Sequence, residues 1–540
     1  MTDIRRRDFL RWTASSALLA PLVGASLLGR GASPDDIDDD FDPEPYRSAT
    51  ERRLTQVHEG IGQGPHTASW PSLKRVNEAP EWFRDAKFGV YFHWGVYSVP
   101  AFGSEWYPRH MHDPDHPVHD HHVETYGTPV EYPYTRFVPQ FTAERFDAAR
   151  WADLFNKAGA RYAGPVAEHH DGYSLWASEV TPWNAADTGP KRDLVGELER
   201  AIRDRGLRFV ATFHHARNSL HRADGEWTGH YAPAKRNHPT VFEDPKRAWM
   251  YGSMDRSRFL DMWLAKLGEV TALYRPDLIW FDSWLHEIPE SYRRQFMAAY
   301  YNRAERWDRD VVTTRKQEDL PLEVSVKDFE KGQATDISDR PFLTDDTIST
   351  GSWCYTQGLG IKSEARVLHS LLDIVSKNGC LLLNVSPKAD GTIPPDQKRV
   401  LLSLGEWLDM NGEAVYETRP WRVFGEGPTQ LEDGEFGGVT AQTMTARDVR
   451  YTRSKDGRTL YAIALGWPED ALTLTAVAPE TADSGTVRLL ASGERLDHSL
   501  NEKNQLVIER PRRSPEERPG QHAYVFAIRG MSPRLHESHR

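Results

Sequence analysis

From about residue 70 the chain alternates short β-rich apolar runs with stretches whose apolar residues recur at helical spacing. "FGVYFHW" (88–94) reads as a strand, "ERFDAARWADLFNKAGA" (144–160) as an amphipathic helix, and "RYAGPVAEHH" as the strand after it. A charged amphipathic helix follows at 191–207, closed by Gly206, and leads into the strand "RFVATFHHA". The helix at 261–274 precedes "PDLIWFDSW", the run "RDVVTTR" (309–315) comes next, and the helix at 364–379 precedes "CLLLNVSP". Helix–strand alternation sustained over this length calls for parallel strands with crossover helices. An open doubly wound sheet and a (β/α)₈ barrel both satisfy it. Polar groups at many separate strand ends, with no single glycine-rich fingerprint, favour the α/β (β/α)₈-like (TIM-type) barrel over 71–420. Beyond "NGEAVYETRPW" the pattern changes to short alternating runs parted by Asp-Gly, Pro and Asn turns. That predicts a C-terminal antiparallel β-sandwich over 421–540.

The first 70 residues stand outside this periodicity. Arg6-Arg7, then Phe9-Leu10-Arg11 and the weakly apolar "WTASSALLAPLVGASLLG", make a basic region followed by an apolar one. Residues 1–30 therefore read as an export signal resembling the twin-arginine type, with a short membrane anchor as the competing reading. Export would place the protein in the periplasm or outside the cell, with no stable membrane partner. The acidic, Pro-containing tract after it predicts a flexible tether over 31–70. Removing the net +3 of residues 1–30 from the chain's −12 leaves −15. Such a balance excludes a nucleic-acid backbone as partner, because that affinity needs clustered Lys and Arg. Two cysteines, Cys354 and Cys380, make neither a disulfide scaffold nor a structural zinc site, and either pairing or burial as free thiols is open.

Titratable and aromatic residues recur where candidate strands finish. His93-Trp94 ends the first, with "GSEWY" (Glu105, Trp106, Tyr107) just beyond. "EHHD" (168–171) ends the second, His214-His215 the third, Asp282 the fourth and Arg315 the fifth, and Trp353 follows in "GSWCY". In a barrel these ends share one rim, so distant residues converge on one ligand. Asp282 follows a buried run and lies between Trp280 and Trp284, where a carboxylate must find partners or function; the alternative is a helix cap. "RHMHDPDHPVHDHHVETY" (109–126) carries clustered His and Asp but no recognisable metal spacing, and reads as a substrate-side loop rather than a metal centre.

"WFRDAKFGVYFHWGVYSVPAFGSEWY", "EHHDGYSLW", "TPWNAADTGPKRDLVGEL", "PDLIWFDSW", "VSKNGCLLLNVSPKADGTIP" and "NGEAVYETRPW", in this order over about residues 70–425, resemble the α-L-fucosidases of glycoside hydrolase family 29. The resemblance implies a (β/α)₈-like domain with a β-sandwich behind it. It also implies exo-acting, retaining hydrolysis of terminal α-L-fucosyl residues from an oligosaccharide or polysaccharide, with no cofactor and no metal. Asp282 matches the nucleophile position. His93, Glu105, Trp106, His169 and His170 match sugar-binding positions, with Trp353 packing on the sugar and Arg315 orienting a carboxylate. The acid/base position varies among relatives; here Glu330 in "DFEKG" is preferred, with Asp345, Asp346 and Asp328 as alternatives, because Phe342-Leu343 occupies the place where some relatives carry Trp-Glu. An α-L-galactosidase, or a fucose-binding protein that has lost catalysis, are the competing functions.

Overall fold

The structure, a computed structural model, describes residues 40–221, 228–332, 334–429, 444–479, 485–531 and 534–536. The export-signal segment and the most acidic part of the tract behind it lie outside the described residues.

Eight strands close into a parallel barrel in chain order. They are β1 (Phe88–Phe92), β2 (Tyr162–Glu168), β3 (Arg208–Phe213), β4 (Leu278–Phe281), β5 (Val312–Arg315), β6 (Val326–Glu330), β7 (Phe342–Thr347) and β8 (Gly379–Val385). β8 returns to β1 through Phe88–Leu381 and Phe92–Val385. The inward side chains at the barrel's floor are Tyr91, Tyr162, Val166, Val210, Leu278, Trp280, Val312, Val326, Leu343 and Leu382, and they pack as one apolar plug. Gly89 makes room for the Tyr162 ring, which stands 2.1 Å from where a Cβ would be. Crossover helices present one apolar stripe inward. Leu194–Arg203 buries Leu194, Val195, Leu198, Ala201 and Ile202, and its Asp193 cap accepts from the Gly196 N–H at 3.0 Å.

β6 and β7 were not among the strands expected from the sequence. Their inward positions carry Asp328, Glu330 and Asp345, so they lack the continuous apolar run by which a parallel strand is recognised.

The expected tether is also corrected. Glu44–Gly62 is a helix that buries Ala49, Thr50, Val57 and Gly60 against the helices Arg256–Tyr274 and Glu290–Arg306. Its apolar stripe is sparse because the contact works by close approach: a Cβ on Gly268 would stand 2.7 Å from the Val57 side chain. Polar anchors complete the seam, with Arg53 Nε 3.5 Å from Glu269 and the Asn302 carboxamide accepting the His66 N–H at 2.9 Å.

The C-terminal part is antiparallel. A six-stranded sheet runs in the spatial order Glu494–Leu496, Thr486–Leu489, Tyr524–Arg529, Thr459–Ala464, Val449–Ser454, Thr418–Glu426. A three-stranded sheet shares its core, where Leu474 and Ile508 pack with Tyr451 and Phe526. The barrel's last helices hold it through the Trp407 indole, which donates to the Ala523 carbonyl at 2.8 Å, and through the buried cluster of Asp373, Lys377 and Arg450. Cys354 and Cys380 are both free and buried.

Candidate active site

Side chains on a strand alternate between faces, so counting by twos from each floor residue gives what its strand presents at the rim. From Tyr91 the count reaches His93; from Val210, His214; from Trp280, Asp282; from Val312, Lys316. From Val326 it reaches Asp328 and Glu330, from Leu343 Asp345, and from Leu382 Asn384. β2 departs from the rule. Its pairing with β3 shifts between Val166 and Glu168, which sends Glu168 outward to a buried ion pair with Lys266 at 2.7 Å. The rim then receives His169 and His170. Glu168 is therefore a structural carboxylate, further fixed by the Ser174 hydroxyl at 2.6 Å.

Asp282 is the hub. Lys316 Nζ lies 3.1 Å from Oδ1, His214 Nδ1 lies 3.1 Å from Oδ2, and His170 Nε2 is 3.1 Å from the same oxygen. Burial pushes this carboxyl upward, but the Lys316 ammonium and the His214 donor outweigh it and hold it well below the usual carboxylate range. Asp282 is thus an anion that keeps 15% of its side chain open to the pocket. Burial lowers His170 to about 4, and its Nδ1 hydrogen goes to the His214 carbonyl at 2.8 Å.

His93, His169 and His214 stand ring against ring, with centroids 4.5–5.4 Å apart. Burial holds His93 and His169 well below the ordinary imidazole range, so they are neutral rings able to donate and to accept. Asn384 sets the His93 tautomer: its Oδ1 accepts both the His93 N–H and Nδ1–H at 2.8 Å, while its Nδ2 donates to Thr347 Oγ1 and to the Trp353 carbonyl. Nitrogens of His93, His169 and His214 lie within 4.8 Å of one another, as do ligand atoms of His170, His214 and Asp282. These are the groups among the described residues that could hold a metal ion, and neither draws on 109–126.

Glu105 is buried, and burial raises it. Its Oε2 accepts from the Ser352 hydroxyl and the Trp353 N–H, both at 3.1 Å, which fixes Trp353 5.4 Å from the His93 ring. Trp106 closes the opposite side, 5.4 Å from the His170 ring. Behind Trp106 runs a stacked column: Arg217 lies 4.6 Å from the Trp106 ring and 4.0 Å from that of Trp284. Trp284 adopts a left-handed φ of 79° two residues after Asp282, a conformation that costs an L side chain about 1–3 kcal/mol and marks sites where geometry matters.

Residues 109–126 are two helices, Tyr107–His110 and Pro117–Tyr126, joined by a turn over 111–116, where a loop was expected throughout. Their histidines largely serve packing. His122 bridges the Tyr107 hydroxyl and the Tyr132 carbonyl, and His112 bonds the Pro108 carbonyl. His110 alone stacks on Trp106, at 5.9 Å.

Three expectations change at the strand ends. Arg315 points outward, its Nη1 on the Leu320 carbonyl at 2.8 Å, and the cation beside Asp282 is its neighbour Lys316. Asp346 also points outward, into a buried ion pair with Lys362 at 2.7 Å. His215 stacks on Trp263 outside the barrel. Lys316 and Asn384 were missed, although the two-residue count reaches both. Glu330 does reach the site, with Oε2 2.8 Å from Lys316 Nζ and a quarter of its side chain exposed. Atoms 3.1 and 2.8 Å from one nitrogen lie no more than about 6 Å apart. A cavity of about 310 Å³ opens beside Glu330, lined also by Arg315, Lys316, Gln317, Glu318 and Lys327.

The family model described as "Alpha-L-fucosidase" matches residues 54–413, and "Alpha-L-fucosidase C-terminal domain" matches 442–529. Among characterised relatives, the chain is 34% identical over 478 residues to tissue alpha-L-fucosidase of Bos taurus, covering 86% of this chain and 92% of that one. It is 32% identical over 477 residues to the tissue enzyme of Homo sapiens, with the same coverage. The solved structure of Thermotoga maritima alpha-fucosidase in complex with fucose superposes with a TM-score of 0.67 at 30% identity, over 85% of this chain and 99% of that one.

Proposed function

The chain belongs to the α-L-fucosidase family, glycoside hydrolase family 29, and is an α-L-fucosidase; we propose that it releases terminal α-L-fucosyl residues from glycans by double displacement, with Asp282 as nucleophile and Glu330 as acid and then base. The observation that carries this reading is the single ammonium, Lys316, that holds one oxygen of each carboxyl group within about 6 Å of the other, in keeping with the short carboxyl separation of a retaining glycosidase.

In the first step an Asp282 oxygen attacks the anomeric carbon. The glycosidic bond breaks as Glu330 gives its proton to the departing oxygen, leaving a fucosyl ester on Asp282. In the second step Glu330 takes a proton from water, the hydroxyl attacks the same carbon from the vacated side, and Asp282 leaves as carboxylate. The neutral imidazoles of His93 and His169 serve hydroxyls that both donate and accept, while His170 has its two nitrogens on the His214 carbonyl and Asp282. Trp353 and Trp106 flank the apolar face and methyl group of the deoxy-sugar, and an L-galactose hydroxymethyl would meet the same wall. Proton NMR of the first-released sugar tests the mechanism: α-L-fucose is expected, and initial β-L-fucose would overturn retention.

We also propose that residues 1–30 direct export by the twin-arginine route, on the strength of Arg6-Arg7 and the apolar stretch behind them. Replacing both arginines with lysine should strand the enzyme in the cytoplasm; undiminished export would sink the twin-arginine assignment.

A further inference from the structure

Lys316 is enclosed by more carboxyl groups than one ammonium can neutralise. Around its Nζ stand Asp282 on β4 at 3.1 Å, Glu330 on β6 at 2.8 Å and Asp345 on β7 at 3.5 Å. Asp328 on β6 lies close enough to act on both Lys316 and Asp345. Arg315, Glu318 and Lys327 line the cavity that Glu330 shares with Lys316, and the other groups packed on Lys316 are aromatic. Tyr91 on β1 donates its hydroxyl to Asp345 Oδ2 at 3.0 Å, Trp280 lies beneath the ammonium at 4.6 Å, and the imidazoles of His93 and His214 complete the ring. Side chains of Lys316 and Asp345 are 4% and 1% exposed, so water cannot offset the excess negative charge. Four carboxyl groups around one ammonium, with Asp328 and Asp345 both buried, is an arrangement that must retain protons.

Where the protons sit follows from the geometry. Asp282 has both Lys316 and the His214 donor and stays ionised. Burial and the neighbouring Asp345 charge push Asp328 well above the carboxylate range, so it keeps its proton. Asp345 is the intermediate case. Burial raises it to about 6 despite Lys316, and at neutral pH it is an anion drawing on the ammonium from below.

We propose that Asp345 is a positioning residue: by drawing part of the Lys316 charge to the barrel floor, it lets Glu330 hold the proton it must donate, and this rests on the assignment of Glu330 as acid/base above. In the free enzyme Lys316 is divided among Asp282, Glu330 and Asp345. When Asp282 becomes a neutral ester, one claim on the ammonium disappears, and Lys316 turns toward Glu330, the group that must then accept a proton from water. The same cation thus permits the acid in the first step and favours the base in the second. Asp345 touches neither sugar nor reacting atoms; it acts through Lys316.

The test compares pH profiles of kcat/KM in the full-length enzyme on a fucoside with a poor leaving group. Asp345→Asn keeps the shape and still accepts from Tyr91. It should move the alkaline limb down by about one pH unit, the shift expected when a competing charge within ~4–6 Å is removed, with KM within about twofold of wild type. Asp328→Asn exchanges one neutral group for another and should leave the limb in place. Tyr91→Phe weakens Asp345 as an anion and should move the limb in the same direction by less, which covers the case in which Asp345→Asn fails to fold. Hydrolysis of an activated fucoside, whose leaving group needs no proton, should show no shift in any of them. An Asp345→Asn profile coincident with wild type, or an equal displacement in Asp328→Asn, overturns the proposal. Failure of the underlying acid/base assignment has a different signature: Glu330→Ala would then keep its alkaline limb, whereas failure of this inference alone leaves that limb lost in Glu330→Ala and unmoved in Asp345→Asn.

Discussion

The two halves of the barrel rim are built from different chemistry. β1 to β3 present His93, His169, His170 and His214, imidazoles with indoles on either side. β4 to β7 present Asp282, Lys316, Glu330 and Asp345, a carboxyl or ammonium group from every strand. A sugar hydroxyl needs neutral groups that donate and accept at low desolvation cost, whereas cleaving a glycosidic bond needs an anion and a proton in fixed places. The separation teaches that, on the proposed mechanism, recognition and bond-breaking occupy opposite sides of one ring, with Asp282 as the member that touches both through His214 and Lys316.

Several substitutions would break or sharpen that contrast. Asp282→Gly should reduce turnover to background, with external azide restoring cleavage and yielding a fucosyl azide; near-normal turnover in this variant would remove the charged half from the chemistry. Glu330→Ala should lose roughly 10²–10⁴-fold on natural glycans and much less on activated aryl fucosides, and equal losses on both would move the acid elsewhere. Lys362→Met probes the strand parity. It leaves Asp346 buried without its cation and should cost about 3–5 kcal/mol of stability in thermal or chemical unfolding, while the ratio of glycan to aryl turnover stays put; a changed ratio would bring Asp346 into the mechanism. On the imidazole side, His93→Ala should lower kcat/KM by roughly 5- to 150-fold, the worth of about 1–3 kcal/mol of hydrogen bonding. Its dependence on the leaving group should not alter, and a loss concentrated on poor leaving groups would blur the division. The smallest effect belongs to Arg315→Met, for which kcat/KM should remain within about twofold, the scale of a substitution away from the reacting groups. A loss matching that of Lys316→Met would reverse the assignment of the two neighbours.

The imidazole half was legible in the sequence because its residues sit at the ends of strands with plain apolar runs, as His93 follows "FGVYF" and His169-His170 follow "YAGPVAE". The charged half was not, because the carboxylates Asp328, Glu330 and Asp345 erase the apolar pattern of β6 and β7. Glu330 could be placed only by its resemblance to relatives. Asp345 and Asp346 stood as equals until one was seen facing Lys316 and the other Lys362. The paired-histidine stretch had its own trap: Glu168 reads as part of the cluster, yet a register shift in β2 turns it to a lysine 98 residues away.

By itself the sequence determined six of the eight barrel strands and the helices between them, the change to an antiparallel domain near residue 421, and the identity of Asp282 as a carboxylate between two tryptophans at the end of a buried strand. Those follow from periodicities of two and 3.6, which any local stretch reveals. Tertiary structure decided which neighbour in each polar pair faces the axis, which carboxylates must share one ammonium, and which histidines are packing rather than pocket. Those depend on barrel closure and on burial, which set the cost of a charge by what surrounds it and not by what precedes it in the chain.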